Sequence, residues 1–322
     1  MLSRRDLLKS VVGTAVLGRH AATIGAAAAQ PKTPVQFDVP AGACDCHTHI
    51  FGDPRRFPFA ADRVYTPEPA SIAEIRSLHR ALHMDRVVIV QPSVYGTDNS
   101  CTVDAVRRLG GRARAIAVID ERASSASLEA LHARGVRGIR LNLATAGQTD
   151  AGIARDRLRR SVEQLEGRNW HIQMYTGIAI IDAIRDRVAE STVPVVFDHF
   201  GGAQAALGMA QPGFGALLGL VRSGKAYVKI SGAYRSSNAG PDYADVAPFA
   251  KALIAANPQR ILWGSDWPHP DSAIASGRKA TDIAPLLPID DGRVLNQLQV
   301  WAPDPTLRRT ILVDNPARLY GF

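Results

Sequence analysis

The chain has 322 residues, of which 46% are hydrophobic and 21% charged, and its formal net charge is +8. This composition is typical of a globular protein and excludes a disordered or membrane-embedded chain. The positive charge is mostly arginine, scattered among acidic residues without a basic run, which argues against nucleic-acid binding and leaves attraction of small anions open.

Residues 1–29 predict a signal peptide. The pair Arg4 and Arg5 precedes an apolar stretch at residues 11–17, and small residues lead to an expected cut near Ala29. The pattern resembles a twin-arginine (Tat) signal, which implies the Tat translocase as a partner and a periplasmic location. A transmembrane anchor is the weaker alternative, because the apolar stretch is too short to span about 30 Å of hydrocarbon.

After a Pro-rich leader at residues 30–40, apolar β-prone runs alternate with helix-like segments. The predicted strands are 43–50, 86–91, 113–119, 136–143, 170–175, 193–199, 226–231 and 260–266. Eight strand–helix units predict an α/β fold with one (β/α)8 (TIM) barrel over residues 41–322. A doubly wound sheet would usually carry a Gly-rich phosphate loop after its first strand, where this chain has "HTHIFG".

Polar residues stand at the predicted strand ends, where barrel enzymes build their active sites. They are His47, His49, Arg140, Asn142, Tyr175, Asp198, His199, Ser231 and Asp266. Two histidines alone could be buried and hydrogen-bonded without any chemistry. Three histidines and a carboxylate in one barrel mouth are costly unless they have a function.

The first strand holds two cysteines beside its histidines. Strand alternation predicts that Asp45, His47 and His49 share one face while Cys44 and Cys46 share the other. We therefore expect the cysteines to pack outward under the helices as small apolar groups, instead of joining a mixed Cys/His zinc site. Two cysteines at i and i+2 also lack disulfide geometry.

Seven motifs in order resemble the amidohydrolase superfamily, and within it the lactonase branch of 2-pyrone-4,6-dicarboxylate and sulfomuconolactone hydrolases. They are "CDCHTHIFG", "FPFAADRVYTPEPA", "VVIVQPSVYGTDN", "GVRGIRLN", "VVFDHFG", "LWGSDWPHP" and "LVDNPARLY". The resemblance covers residues 41–319. It implies a hydrolase that opens the ring of a small anionic lactone.

The resemblance also implies roles for single residues. Asp266 would be the general base that activates water, while His47, His49 and His199 polarise the lactone carbonyl. The positions expected to contact substrate are Tyr65, Ser93, Arg140, Tyr175, Arg235 and Asp271. Arg140 and Arg235 would hold substrate carboxylates, since a guanidinium matches planar anions.

The chain departs from the branch in two places. The stretch "LATAGQTD" lacks a basic residue expected a few positions beyond Arg140, and Asp271 replaces a usual Asn. We therefore expect a related lactone, such as a sulfomuconolactone or muconolactone, instead of pyrone dicarboxylate itself. A lactone isomerase, a metal-dependent decarboxylase and an exported anion-binding protein remain alternatives.

The sequence leaves the cofactor open. Metal-dependent members of the superfamily usually carry a histidine at the fifth strand end, where this chain has Tyr175, so metal-free operation is the favoured prediction. His47, His49 and Asp266 could still supply three ligands to one zinc ion with an open position.

Overall fold

A computed structural model describes residues 28–272 and 277–322, so the predicted signal peptide lies outside the described residues except for its last two. Eight buried strands alternate with helices. The strands are β1 Cys44–Thr48, β2 Arg86–Val90, β3 Ala113–Ala117, β4 Val136–Asn142, β5 His171–Tyr175, β6 Val195–Phe197, β7 Ala226–Ser231 and β8 Ile261–Gly264. All eight predicted strands are confirmed.

The eight strands form one parallel sheet in chain order, which curls into a barrel. The barrel closes between β8 and β1 at the ends of these two strands, where Thr48 pairs with Trp267. The backbone N–H of Asp266 donates to the His47 carbonyl at 2.8 Å, and the N–H of His49 donates to the Trp267 carbonyl at 2.8 Å. Barrel closure therefore brings the "HTH" and "SDW" segments side by side.

Helices cover the outside of the barrel. They are α1 Ile72–Leu82, α2 Ser100–Leu109, α3 Ser125–Ala133, α4 Ala151–Leu165, α5 Ile178–Glu190, α6 Phe214–Arg222, α7 Ala233–Ser236, α8 Ala247–Ala256, α9 Asp291–Trp301, α10 Pro305–Arg309 and α11 Asn315–Tyr320. Helix α1 shows why they form: Ser71 and Glu74 make a capping box, and Ile75 and Leu78 face the strands. Within the described ranges, no helix has the length and apolar character of a membrane span.

Alternate strand residues belong to two separate apolar clusters. Val87 of β2 packs with the helices, whereas Val88 packs in the barrel interior, where Tyr320 of α11 covers the floor. Cys44 and Cys46 belong to the interior cluster, so the prediction that they pack outward is wrong. All three cysteines are buried and free.

The physical reason is an irregularity in β1. Its register against β2 shifts between Asp45 and Thr48, which breaks strict alternation. Asp45 consequently leaves the face of His47 and accepts hydrogen bonds from the Ser265 hydroxyl at 2.6 Å and from His79 of α1 at 3.4 Å.

The leader also packs on the barrel. The side-chain amide of Gln30 donates to the Glu74 carbonyl of α1 at 3.3 Å. Farther along, Thr33 donates to Asp290 at 2.7 Å, at the start of α9. The leader therefore contacts both α1 and α9.

Candidate active site

Four predicted residues converge at the barrel mouth. The Oδ1 atom of Asp266 lies 3.5 Å from His47 Nε2, 3.7 Å from His49 Nε2 and 3.8 Å from His199 Nε2. His47 lies on β1 and His49 directly follows it, His199 begins the 3-10 turn His199–Gly202 after β6, and Asp266 follows β8. All four side chains are buried, so their interactions are poorly screened by water.

Two of the four hold an uncommon backbone conformation. His199 has φ +48° and Asp266 has φ +68°, in the left-handed region that is costly for residues other than glycine. Gly264 permits the close approach of β8 to His47, since a Cβ there would lie 2.7 Å from the Cβ of His47. Backbone strain and a close contact thus both occur at the convergence point.

Asp266 is held by one of its two oxygens. Oδ2 accepts hydrogen bonds from the Tyr234 hydroxyl at 2.7 Å and from Arg235 Nε at 2.5 Å, while Oδ1 has no hydrogen-bond partner among the described residues. Burial would raise the pKa of Asp266, but the charge of Arg235 outweighs it and holds that pKa well below its ordinary value. The carboxylate is therefore ionised, oriented and free to accept a proton at Oδ1.

The histidines are neutral at neutral pH. Burial lowers the pKa of His47 and of His49, and it lowers the pKa of His199 to about 4. His49 Nδ1 lies 2.8 Å from the Val90 carbonyl oxygen, which can only accept, so the ring proton is on Nδ1. Its Nε2 consequently presents a lone pair toward Asp266.

The neighbours of His47 do not fix its tautomer in this way. Its Nδ1 lies 3.2 Å from Asp198 Oδ1, which can only accept, and 3.4 Å from Lys229 Nζ, which can only donate. Its Nε2 has no hydrogen-bond partner within the described ranges. The polarising role expected for the histidines stays a prediction.

The His49 lone pair and the unpartnered Nε2 of His47 fit a cation. The Nε2 atoms of His47 and His49 and one oxygen of Asp266 lie within 4.8 Å of one another. Two imidazole nitrogens and a carboxylate oxygen are the ligand set of a catalytic zinc ion with an open position. A water molecule donating its hydrogens would also satisfy them. A second group of candidate ligands, His47, Asp198 and His199, overlaps the first.

His199 differs from His49. Its Nδ1 lies 3.0 Å from the Ser231 hydroxyl, which can donate or accept, and 3.4 Å from the Ser231 carbonyl, which can only accept. When the shorter contact is donated by Ser231, the ring proton is on Nε2 and faces the site. In that tautomer, neutral His199 can donate a hydrogen bond to a group bound there.

Sequence reasoning missed two residues beneath the site. Lys229 of β7 donates to Gln173 of β5 at 2.6 Å, and Gln173 donates to Asp198 at 2.9 Å. Both are fully buried. Their signal in the sequence is a polar side chain in the middle of a buried strand, Lys229 in "AYVKIS" and Gln173 in "HIQMY".

A small polar pocket opens above the four residues. Its lining includes five of the six predicted substrate contacts, namely Tyr65, Ser93, Arg140, Tyr175 and Arg235. Arg140 is buried, and its Nε has no hydrogen-bond partner among the described residues. Burial raises the pKa of Tyr65 to about 12, so its hydroxyl remains a donor. The pocket therefore offers several donors to an anion.

The sixth predicted contact lies farther out. Asp271 lines an outer cavity of about 560 Å³, which shares Tyr175, Arg235 and Ser272 with the inner pocket. Asp271 pairs with Arg278 at 2.8 Å. The structure thus places Asp271 at the entrance and not beside Asp266.

A parallel eight-stranded barrel with a His-X-His pair on β1, a histidine after β6 and an aspartate after β8 has the architecture of amidohydrolase-type enzymes. A family model described as Amidohydrolase matches residues 44–322. The chain belongs to the amidohydrolase family.

Individual relatives cover nearly the whole chain. It is 38% identical to a 4-sulfomuconolactone hydrolase of Rhizobium radiobacter, over 90% of this chain and 93% of the relative. It is 35% identical to a 2-pyrone-4,6-dicarboxylate hydrolase of Comamonas testosteroni, over 91% and 94%. A Pseudomonas putida crystal structure, provisionally named 2-pyrone-4,6-dicarboxylic acid hydrolase, matches with a TM-score of 0.71 and 31% identity, over 88% of this chain and 98% of that one.

Proposed function

We propose that this protein hydrolyses a small anionic lactone of the muconolactone, sulfomuconolactone or pyrone-dicarboxylate type. The observation that carries the proposal is the free Oδ1 of Asp266, which faces three ring nitrogens beneath an arginine-lined pocket. Two relatives similar over most of their length are named as hydrolases of such compounds.

The pocket would bind the anionic group of the substrate. Arg140 is buried and lines the pocket, with its Nε 3.7 Å from Asp198 Oδ2 and its guanidinium 5.6 Å from the Tyr175 ring centre. A planar guanidinium fork suits a carboxylate or a sulfonate. Tyr65 and Ser93 add hydroxyl donors, so the lactone ring would be directed toward Asp266.

Asp266 would act as the general base. Its Oδ1 takes a proton from water as the water oxygen bonds to the lactone carbonyl carbon. Tyr234 and Arg235 hold Oδ2 during this transfer. His199, with its proton on Nε2, donates to the developing oxyanion. The ring C–O bond then breaks, and the departing ring oxygen takes the proton from Asp266, which leaves an open-chain acid.

His47 Nε2, His49 Nε2 and Asp266 Oδ1 are the atoms that would hold a zinc ion. When bound, zinc supplies Lewis acidity that polarises a carbonyl or lowers the pKa of a water molecule. The Val90 carbonyl sets the tautomer of His49 for this ligation.

The proposal is tested with purified protein and a panel of carboxylated and sulfonated lactones, with and without chelator. Loss of lactone absorbance for at least one anionic lactone, and no loss for a neutral lactone of the same ring size, is expected. If the folded protein turned over none of these lactones, the proposal of hydrolysis would be contradicted. Release of carbon dioxide would instead indicate a decarboxylase, and tight binding without product an anion-binding protein.

We also propose export by the twin-arginine route to the periplasm. Arg4 and Arg5, the following apolar stretch and the small residues before Ala29 support it. An exported lactonase would meet its substrate outside the cytoplasm.

A further inference from the structure

A fully buried aspartate lies behind the point where the barrel closes. Asp45 of β1 is 0% exposed, although aspartate is almost never fully buried unless its oxygens are paired. Its Oδ1 accepts the backbone N–H of Ser265 at 2.9 Å and that of His47 at 3.2 Å. Its Oδ2 accepts the Ser265 hydroxyl at 2.6 Å. Asp45 therefore holds β1 and the segment that follows β8 together.

The hydrogen bonds continue from Asp45 to both neighbours of Asp266. The Ser265 hydroxyl has a single hydrogen, which it donates to Asp45, so its oxygen is left to accept. It accepts the backbone N–H of Trp267 at 3.0 Å. Ser265 precedes Asp266 in the chain and Trp267 follows it. The turn that carries Asp266 is thus closed by a hydroxyl whose direction Asp45 sets.

The backbone of Asp266 needs such a closed turn. Its φ is +68°, a conformation that a residue other than glycine keeps only when the surrounding contacts impose it. Its N–H is fixed, because it donates to the His47 carbonyl at 2.8 Å. A return to an ordinary negative φ would be a rotation of more than about 100° around the N–Cα bond, which would carry the carboxylate away from the histidines.

Helix α1 anchors Asp45 from the opposite side. His79 is buried, and its Nε2 lies 3.4 Å from Asp45 Oδ2. The Nδ1 atom of the same ring lies 3.3 Å from Arg112, which can only donate, so the ring proton is on Nε2 and is directed at Asp45. The carboxyl group that orients Ser265 is therefore itself held in place.

We propose that Asp45 is a positioning residue that, through the Ser265 hydroxyl, holds Asp266 in its left-handed conformation. The proposal deepens the proposed function and rests on it, because this turn matters for turnover only if Asp266 is the general base. Neither Asp45 nor Ser265 lines the inner or the outer pocket, so substrate binding is expected to depend little on them.

The first test uses no substrate. Crystal structures of the chelator-treated wild type, Asp45→Asn and Ser265→Ala compare the turn directly. In both variants, Asp266 Oδ1 is expected to move by about 1 Å or more relative to His47 Nε2, a displacement that is enough to slow catalysis. An Asp266 that keeps its φ and its place in either variant overturns the proposal. Ser265→Ala removes only a hydroxyl and carries the test alone if Asp45→Asn does not fold.

The second test uses the lactone that the wild type turns over fastest. Ser265→Ala is expected to lower kcat about 10- to 100-fold, with KM changed less than about threefold. Wild-type kcat, or an effect confined to KM, overturns the proposal. Thr48→Val is the matched control, because it removes another buried hydroxyl at the barrel closure, which donates to the Val88 carbonyl and not to Asp45. An equal loss of kcat in Thr48→Val would also overturn the proposal.

A double-mutant cycle tests whether Asp45 acts through Ser265. If it does, Asp45→Asn combined with Ser265→Ala should lower kcat no more than about threefold beyond Asp45→Asn alone, because both changes break the same link. Single effects that multiply would overturn the proposal. Because the crystal structures need no turnover, an inactive wild type would refute the proposed function and leave the result on the Asp266 turn standing.

Discussion

At the residue scale, the chemistry of the site follows from which nitrogen of each histidine carries the proton. His49 turns its Nε2 lone pair toward Asp266 Oδ1, because its Nδ1 proton faces the Val90 carbonyl. His47 Nε2 and Asp266 Oδ1 have no hydrogen-bond partner among the described residues, and a cation or a water molecule would satisfy them. His47 and His199 each keep a choice of tautomer, because the Nδ1 of each lies near both a possible donor and an acceptor.

This arrangement predicts stoichiometric metal uptake. Zinc added to chelator-treated protein is expected to bind at about one ion per chain, with the affinity reduced at least tenfold in His49→Ala because one of three ligands is lost. Equilibrium dialysis with elemental analysis measures it. Cys101→Ala, which changes a buried residue outside the candidate ligand groups, serves as control. Equal zinc affinity in His49→Ala and the wild type would rule out this ligand set.

His171, a buried histidine outside the four site residues, makes the stability of the protein depend on pH. Burial, followed by the charge of Lys229, lowers the pKa of His171 to about 3. The folded protein therefore keeps His171 neutral while the unfolded chain takes up a proton below about pH 6.5, so stability falls as the pH drops from about 6.5 to 3. His171→Phe keeps a ring against Tyr320 but cannot take up a proton. Between about pH 6.5 and 3, the free energy of unfolding of the variant is therefore expected to fall less steeply than that of the wild type, by up to about 1.4 kcal/mol per pH unit.

Urea unfolding at pH 7, 5 and 4 checks this expectation. The difference in free energy of unfolding between His171→Phe and the wild type should grow in favour of the variant as the pH falls. A difference that stays constant across the three pH values would mean that His171 is not a proton acceptor on unfolding.

At the element scale, the eight strands could be predicted because each is a short apolar β-prone run followed by a helical pattern. The clustering of His47, His49, His199 and Asp266 followed from barrel geometry, which brings strand ends together. The orientation of Cys44 and Cys46 could not be predicted, because the irregularity in β1 depends on its pairing with β2. Lys229 and Gln173 were missed because a single polar residue in a buried strand does not reveal its partner.

The seam between β1 and β8 predicts a sensitive glycine. In Gly264→Ala, the new Cβ would lie 2.7 Å from both the Cβ and the backbone nitrogen of His47, so the strands must separate. We expect a loss of about 1–3 kcal/mol in the free energy of unfolding and a larger proportional loss of activity. Thermal unfolding and lactone turnover measure the two effects.

A matched control exists in helix α6. A Cβ added at Gly215 meets nothing within 4 Å, so Gly215→Ala should stabilise the protein slightly or leave it unchanged. If Gly264→Ala were as stable and active as Gly215→Ala, the seam would be more tolerant than these distances imply.

At the scale of the whole molecule, the leader at residues 30–40 packs against the outside of the barrel. Gln30 donates to the Glu74 carbonyl of α1 at 3.3 Å, and Thr33 donates to Asp290 at the start of α9 at 2.7 Å. The interior below the site is closed by Tyr320 of the last helix. Both ends of the described chain therefore pack against the barrel that holds the active site.

Export is a property of the whole molecule and has its own prediction. Replacing Arg4 and Arg5 together by Lys should keep the protein in the cytoplasm as an uncleaved precursor, since the Tat route reads the arginine pair. Cell fractionation and N-terminal sequencing measure it, with Arg19→Lys as control. Equal periplasmic amounts of both variants would contradict the proposed route.

The central claim is that Asp266 directs a water molecule onto a lactone carbonyl. The most direct measurement is mass spectrometry of the product formed from one turned-over lactone in oxygen-18 water, for the wild type and for Asp266→Asn. We predict one solvent oxygen in the carboxylate of the wild-type product and a rate at least about 1,000-fold lower in the folded variant. A product without solvent oxygen, as an isomerase would form, or an Asp266→Asn protein with full activity, would contradict the account.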